Sequence, residues 1–259
     1  MLNEIINNKL KEVNQLRETL DISGININSS KKNHFYKRLL NNQNNKKNSI
    51  IAEIKRRSPS KGMLAENLNV SKTVSEYESG GAACISVLTE KDYFNGSNED
   101  LLEAKNSINL PLLRKDFMLD PIQIYESKML GADCVLLIVS ALSQSTYKKL
   151  FELASQLDLD VLTEVHDIYE LDFALSQNAK LIGINNRNLK SFDVDINTSI
   201  DLARTINDND IVLVSESGIS SSSDIITLNS SGIYTFLVGE HLIKSNNITN
   251  ELGVLINGE

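Results

Sequence analysis

Apolar residues in this chain change their spacing near Asn48. From Met1 to about Leu20, the residues Leu2, Ile5, Ile6, Leu10, Val13 and Leu16 recur at three- and four-residue steps, the period that lines one face of an α-helix. The stretch from Asn26 to Asn48 is rich in Asn, Ser and Lys. Within it Phe35, Tyr36, Leu39 and Leu40 form a short apolar patch that predicts a second helix. The asparagine runs read as compositional bias rather than function.

Beyond Asn48, short β-rich runs alternate with helical segments. The runs are Ile50 to Ile54, Cys84 to Leu88, Leu112 to Lys115, Cys134 to Val139, Val161 to Glu164, Leu181 to Asn185, Ile211 to Ser215 and Thr235 to Gly239. They recur roughly every 20 to 35 residues, with helical stretches such as Val70 to Ser79 and Thr146 to Gln156 between them. Eight βα units predict an α/β chain folded as a single (β/α)8 TIM barrel over residues 49–259, preceded by an N-terminal helical extension over 1–48. The length of 259 residues fits this reading, since such barrels take about 250. A doubly wound open sheet also alternates strand and helix, but it leads to a GxGxxG turn after an early strand. Here the first strand runs into Lys55-Arg56-Arg57-Ser58-Pro59-Ser60-Lys61-Gly62.

Composition narrows the functional classes. At 41% hydrophobic and 23% charged residues there is material for a large core. A formal net charge of -8 opposes nucleic-acid binding, which needs a surplus of Lys and Arg. Apolar stretches such as Cys134 to Val139 are too short to cross a bilayer, and no signal-peptide pattern opens the chain, so a cytoplasmic location is expected. Cys84 and Cys134 sit inside apolar runs and read as inert core thiols. His34, His166 and His241 are scattered without ligand spacing, so no metal site is expected.

In a barrel, chemistry gathers at the C-terminal ends of the strands. Period-two alternation puts Ile51, Glu53 and Lys55 on one face of the first strand. The third strand ends at Lys115, the fifth at Glu164 and the sixth at Asn185. Any one of these could cap the barrel interior as a polar layer. Two lysines and two carboxylates at one mouth would be costly to desolvate without a purpose, and they offer acid and base partners. Ser215-Glu216-Ser217-Gly218 and Gly239-Glu240 follow strands seven and eight, where barrels commonly bind phosphate through backbone N–H groups. Ser58, Ser60 and Lys61 either add donors there or, as a Ser-Pro-Ser stretch, only form a turn, and Arg187 is suited to a second anion unless it is spent in a surface ion pair. Phe94 and Phe117 follow strands two and three, placed either to sandwich a planar ring or to pack loop against helix.

These residues carry a resemblance. The run Ile51-Ala52-Glu53-Ile54-Lys55-Arg56-Arg57-Ser58-Pro59-Ser60-Lys61-Gly62 resembles the signature of the indole-3-glycerol-phosphate synthases. Further blocks follow in the family's order: Leu88-Thr89-Glu90 with Tyr93 to Ser97, Leu113 to Phe117, Gly183 to Leu189, and Glu216 to Ile219. The resemblance covers the barrel, and the N-terminal helices resemble the family's extension, expected to cover the barrel's bottom or rim.

The resemblance implies a cofactor-free lyase of tryptophan biosynthesis. It would convert 1-(2-carboxyphenylamino)-1-deoxyribulose 5-phosphate into indole-3-glycerol phosphate, with loss of carbon dioxide and water. Lys115 then corresponds to the general acid and Glu164 to the acidic residue facing the ring nitrogen, as counter-charge or base. Glu53 and Lys55 match a pair that binds substrate and assists dehydration, and Asn185, Glu216 and Ser217 match residues holding hydroxyls and neighbouring side chains. Arg187 corresponds to the carboxylate contact, Ser58, Gly218 and Gly239 to the phosphate site, and Phe94, Phe117, Leu136 and Leu189 to the apolar wall. Glu240 departs from the small hydroxyl residue that some members carry there. The partners implied are a phosphorylated small molecule and, as candidates through the resemblance alone, other tryptophan-pathway enzymes, with neither nucleic acid nor membrane. Two rivals remain at this level: a Schiff-base aldolase using Lys115 or Lys55 as a neutral amine, and a phosphosugar-binding barrel without turnover.

Overall fold

The computed structural model describes residues 2–25, 34–188 and 191–258. Every anticipated apolar run forms a strand: β1 Ser49–Ile54, β2 Cys84–Leu88, β3 Leu112–Lys115, β4 Cys134–Ile138, β5 Asp160–Val165, β6 Leu181–Asn185, β7 Val212–Glu216 and β8 Thr235–Val238. All pair in parallel with their sequence neighbours, and β8 closes on β1, giving a barrel. Parallel neighbours need a crossover, supplied by helices α3 Val70–Ser79, α4 Asn98–Ser107, α5 Pro121–Met129, α6 Gln144–Gln156, α7 Ile168–Ser176, α8 Asn197–Ala203 and α9 Ser222–Asn229. The chain then finishes in α10 Glu240–Ile243 and α11 Ile248–Asn257.

The pleat sorts the strand residues into two apolar layers. Ile50, Ala52 and Ile54 of β1, with Val135 and Leu137 of β4, pack outward under the helices, whereas Ile51, Cys134 and Leu136 fill the barrel interior. Cys84 and Cys134 both lie in that interior, unbonded, and burial pushes both thiols up. They behave as the small apolar residues that the sequence suggested.

The two helices of the extension serve opposite ends. Helix α2, His34–Asn44, carries Phe35 and Leu39 into the interior layer at the start of the strands. There the Tyr36 backbone N–H donates to Asp160 at 2.9 Å and the Gln43 amide donates to the Ile211 carbonyl at 2.9 Å. Helix α1, Leu2–Thr19, packs on α5 at the other end. Its Lys9, 3% exposed, is paired with Asp116 at 3.0 Å, directly after β3. The extension therefore covers both bottom and rim. A feature not anticipated from sequence is a small antiparallel hairpin in the first loop, pairing Arg57–Ser58 with Gly62–Met63 across a turn at residues 59–61, with Gly62 at a φ of 70° where the return strand begins.

Candidate active site

Strand ends converge on a cavity of about 600 Å³ at the barrel mouth. The alternation that buries Ile51 also sends Glu53 inward, and the last residues of β3, β6 and β7 bring Lys115, Asn185 and Glu216 to the same level. Glu164, one residue before the end of β5, joins them. Register fixes this arrangement, with Glu164 opposite Gly183 and Asn185 opposite Glu216.

Lys115 is the hub. Its Nζ lies 2.7 Å from Glu216, 3.6 Å from Glu53 and 4.0 Å from Glu164. Burial alone would lower its pKa, but the three carboxylates outweigh that and raise it above the ordinary 10.5. Glu53 bonds Lys55 at 2.6 Å. Burial pushes the Glu53 carboxyl up, but Lys55 and Lys115 together hold it below its ordinary value. Asn185 donates to Glu164 at 3.1 Å, while its carbonyl oxygen accepts from the Ser217 hydroxyl and from the Arg187 backbone N–H, each at 3.0 Å. Asn185 thus fixes both flanks of the site.

The carboxylates are not equivalent. Burial favours the neutral form of each, but His166, Lys115 and Asn185 bring Glu164 down to about 2. Glu216 is pushed up to about 7 by burial, with Glu164 and Glu53 adding to the effect and Lys115 opposing it. The cluster sets four carboxylates, Glu53, Glu164, Glu170 and Glu216, against three cations, Lys55, Lys115 and His166. That excess of acid, with burial, makes Glu216 the carboxyl of the cluster that takes up a proton most readily as the pH falls toward neutrality.

Two glycines make room for this cluster. A Cβ on Gly183 would lie 2.1 Å from Glu216 Oε1, and one on Gly239 would lie 2.5 Å from Glu53 Oε1. The sequence reading gave Gly239 to phosphate alone; its neighbour in the structure makes it equally a seat for Glu53. After β7, Ser217 and Gly218 both adopt positive φ, 66° and 86°, so the chain turns sharply over the mouth.

Of the anticipated site residues among the described ones, all but Lys61 border the cavity. Ser58, Phe94 and Phe117 come from the first three loops, Leu136 from β4, and Arg187, Ser217, Gly218 and Gly239 from the last three. Leu189 lies outside the described residues. Arg187 has no carboxylate partner among the described residues; its guanidinium donates to the Phe192 carbonyl at 3.1 Å. Glu240 also borders the cavity, where Lys244 binds it at 2.6 Å and offsets its charge. Sequence reasoning missed Leu2 and Ile5 of α1, which also line the cavity. It likewise missed His166, which stands 3.4 Å from Glu164. The period-two step from Glu164 to His166 was the available signal.

Comparison with known proteins bears on the fold and the family. Solved structures of similar fold include a 3-hexulose-6-phosphate synthase, with TM-score 0.62, 13% identity and coverage of 81% of this chain and 98% of the other. KGPDC from Streptococcus mutans gives TM-score 0.59 and 11% identity, over 82% and 96%. Thiamine phosphate pyrophosphorylase from Pyrococcus furiosus gives 0.59 and 15%, over 82% and 94%. At such identities the likeness is one of fold. The family model described as indole-3-glycerol phosphate synthase matches residues 2–255. With the match running from the first helix into the last, the chain belongs to the indole-3-glycerol phosphate synthase family, whose members are carboxy-lyases of tryptophan biosynthesis.

Proposed function

We propose that this chain closes the indole ring of indole-3-glycerol phosphate from 1-(2-carboxyphenylamino)-1-deoxyribulose 5-phosphate. The observation that carries the reading is the Lys115 ammonium held among three carboxylates at the floor of a mouth that also has apolar walls. An ammonium so held stays protonated, which suits a general acid and opposes the Schiff-base reading, since an imine-forming lysine must be neutral.

In the reaction, the aromatic carbon bearing the carboxylate attacks the ribulose carbonyl carbon, and Lys115 gives its proton to the carbonyl oxygen. Glu164 supplies negative charge where the ring nitrogen becomes positive; a carboxyl held near 2 suits a counter-charge better than a base. Carbon dioxide then leaves from the ring carbon that made the attack, and its bonding electrons restore the aromatic ring. The new hydroxyl departs as water after a second protonation, with a proton lost from the ring system. Glu53 with Lys55 serves this second stage. Glu216, titrating near neutrality beside Lys115, is suited to return protons to it.

Arg187 meets the substrate carboxylate, and Ser58, Gly218 and Gly239 surround the phosphate. Phe94, Phe117 and Leu136 flank the aromatic ring. Purified protein given the carboxyphenylamino-ribulose phosphate is expected to generate indole fluorescence; no signal at high enzyme concentration rejects the proposal.

A further inference from the structure

His166 does not border the cavity, yet it is built into the site from behind. Residues Glu164, Val165 and His166 step along the end of β5. Val165 packs outward among the helices, and its neighbours on either side face away from that layer. The His166 ring has a carboxylate at each nitrogen: Nδ1 lies 3.0 Å from Glu170 Oε2 and Nε2 lies 3.4 Å from Glu164 Oε1. Nε2 is fully buried and makes no hydrogen bond, so the Glu164 carboxylate at 3.4 Å meets it as a counter-charge.

The other side of the ring is fixed equally firmly. Asp167 caps α7 by accepting from the Glu170 N–H, and Glu170 reaches back to accept from the His166 backbone N–H at 2.9 Å. A neutral imidazole can donate from one nitrogen only, so two facing carboxylates favour the doubly protonated ring.

We propose that His166 is a positioning residue for the reaction, an imidazolium clamped by Glu170 that aims the Glu164 carboxylate into the mouth and supplies its counter-charge. This rests on the reading of Glu164 as a group that meets the substrate. Burial opposes charge on the ring, but Glu164 and Glu170 raise its pKa to about 10. The groups facing Glu164 from the other strands are Lys115 of β3, Asn185 of β6, and the carboxylates of Glu53 and Glu216 on β1 and β7. Lys115 is shared among three acids, so the cation given to Glu164 without rival from the barrel is His166.

The role is read by pH. Without the imidazolium, burial and the neighbouring acids raise the Glu164 pKa. The acidic limb of the kcat profile should therefore move upward by about one pH unit or more in His166→Asn, as for a carboxylate losing a close cation. KM should stay within about twofold. Glu170→Gln should move the limb in the same direction by less. Imidazole 15N NMR gives a second measurement that needs no variant of His166: its resonance, assigned with His34→Gln and His241→Gln, should report a doubly protonated ring at pH 7. In Glu164→Gln that ring should titrate about one to three units lower. A neutral His166 ring at pH 7 overturns the proposal, and so does an unchanged acidic limb in a folded His166→Asn enzyme while Glu164→Gln is inactive. Near-normal turnover by Glu164→Gln would instead sink the reading of Glu164, and the proposal with it.

Discussion

Lys115 has a charge that its surroundings leave little freedom to change, and this makes its role testable by one substitution. Met matches its length and carries no proton. Lys115→Met should lose at least about a hundredfold in kcat while a non-reacting substrate analogue still binds. Borohydride added during turnover should leave no substrate mass on Lys115 or Lys55; an adduct would restore the aldolase reading. Glu216 gives a second prediction at this scale. Its carboxyl sits near 7 in the fold and near 4.5 when unfolded, so between those values the native state holds a proton that the unfolded state has released. Its contribution to stability is complete below about 4.5 and is lost as pH rises through about 7. The Tm of the wild type relative to Glu216→Gln should therefore climb as pH is lowered from about 7.5 to about 5. A flat or falling difference would place the proton elsewhere. Residues at strand ends, such as Glu53, Lys115 and Asn185, were legible in sequence because strand period and barrel geometry give them a direction. The seats made by Gly183 and Gly239 were not, because each depends on a side chain from another strand.

At the scale of elements, the eight strands were readable because each is a compact apolar run bounded by polar loops, and no observed end differs from the expected one by more than one residue. The hairpin of Arg57–Ser58 with Gly62–Met63 was not, since two-residue strands leave no period to detect. Both extension helices were visible as apolar patterns, yet amphipathicity says that a face is buried and not against what. Lys9 shows what was hidden: a lysine in a polar helix proves to be buried against Asp116, beside the catalytic candidate Lys115. Lys9→Met should leave Asp116 with the Thr89 hydroxyl, the Phe117 backbone N–H and Arg114 at 3.8 Å, and so cost about 1.5–3 kcal/mol in a urea melt. Because Leu2 and Ile5 on the same helix line the cavity, KM should rise more than kcat falls. A variant with unchanged stability and unchanged KM would show that α1 docks independently of this pair.

Over the whole molecule, a net charge of -8 coexists with a mouth that presents Lys55, Lys115, Arg187 and Lys244. Net charge governs solubility and nonspecific binding, whereas local cations among low-dielectric walls govern which anion enters. The same division separates what sequence could and could not supply. Composition and period gave the barrel, and motif order gave the family. The pairing of each acid with its cation required the folded chain. The most direct measurement of the central claim uses substrate carrying 13C in the ring carboxylate, in a single turnover with enzyme in excess. We expect one labelled carbon dioxide released for each indole-3-glycerol phosphate formed, and neither product from Lys115→Met on the same timescale. Indole product without labelled carbon dioxide, or unchanged substrate in the presence of folded wild-type protein, would contradict the account.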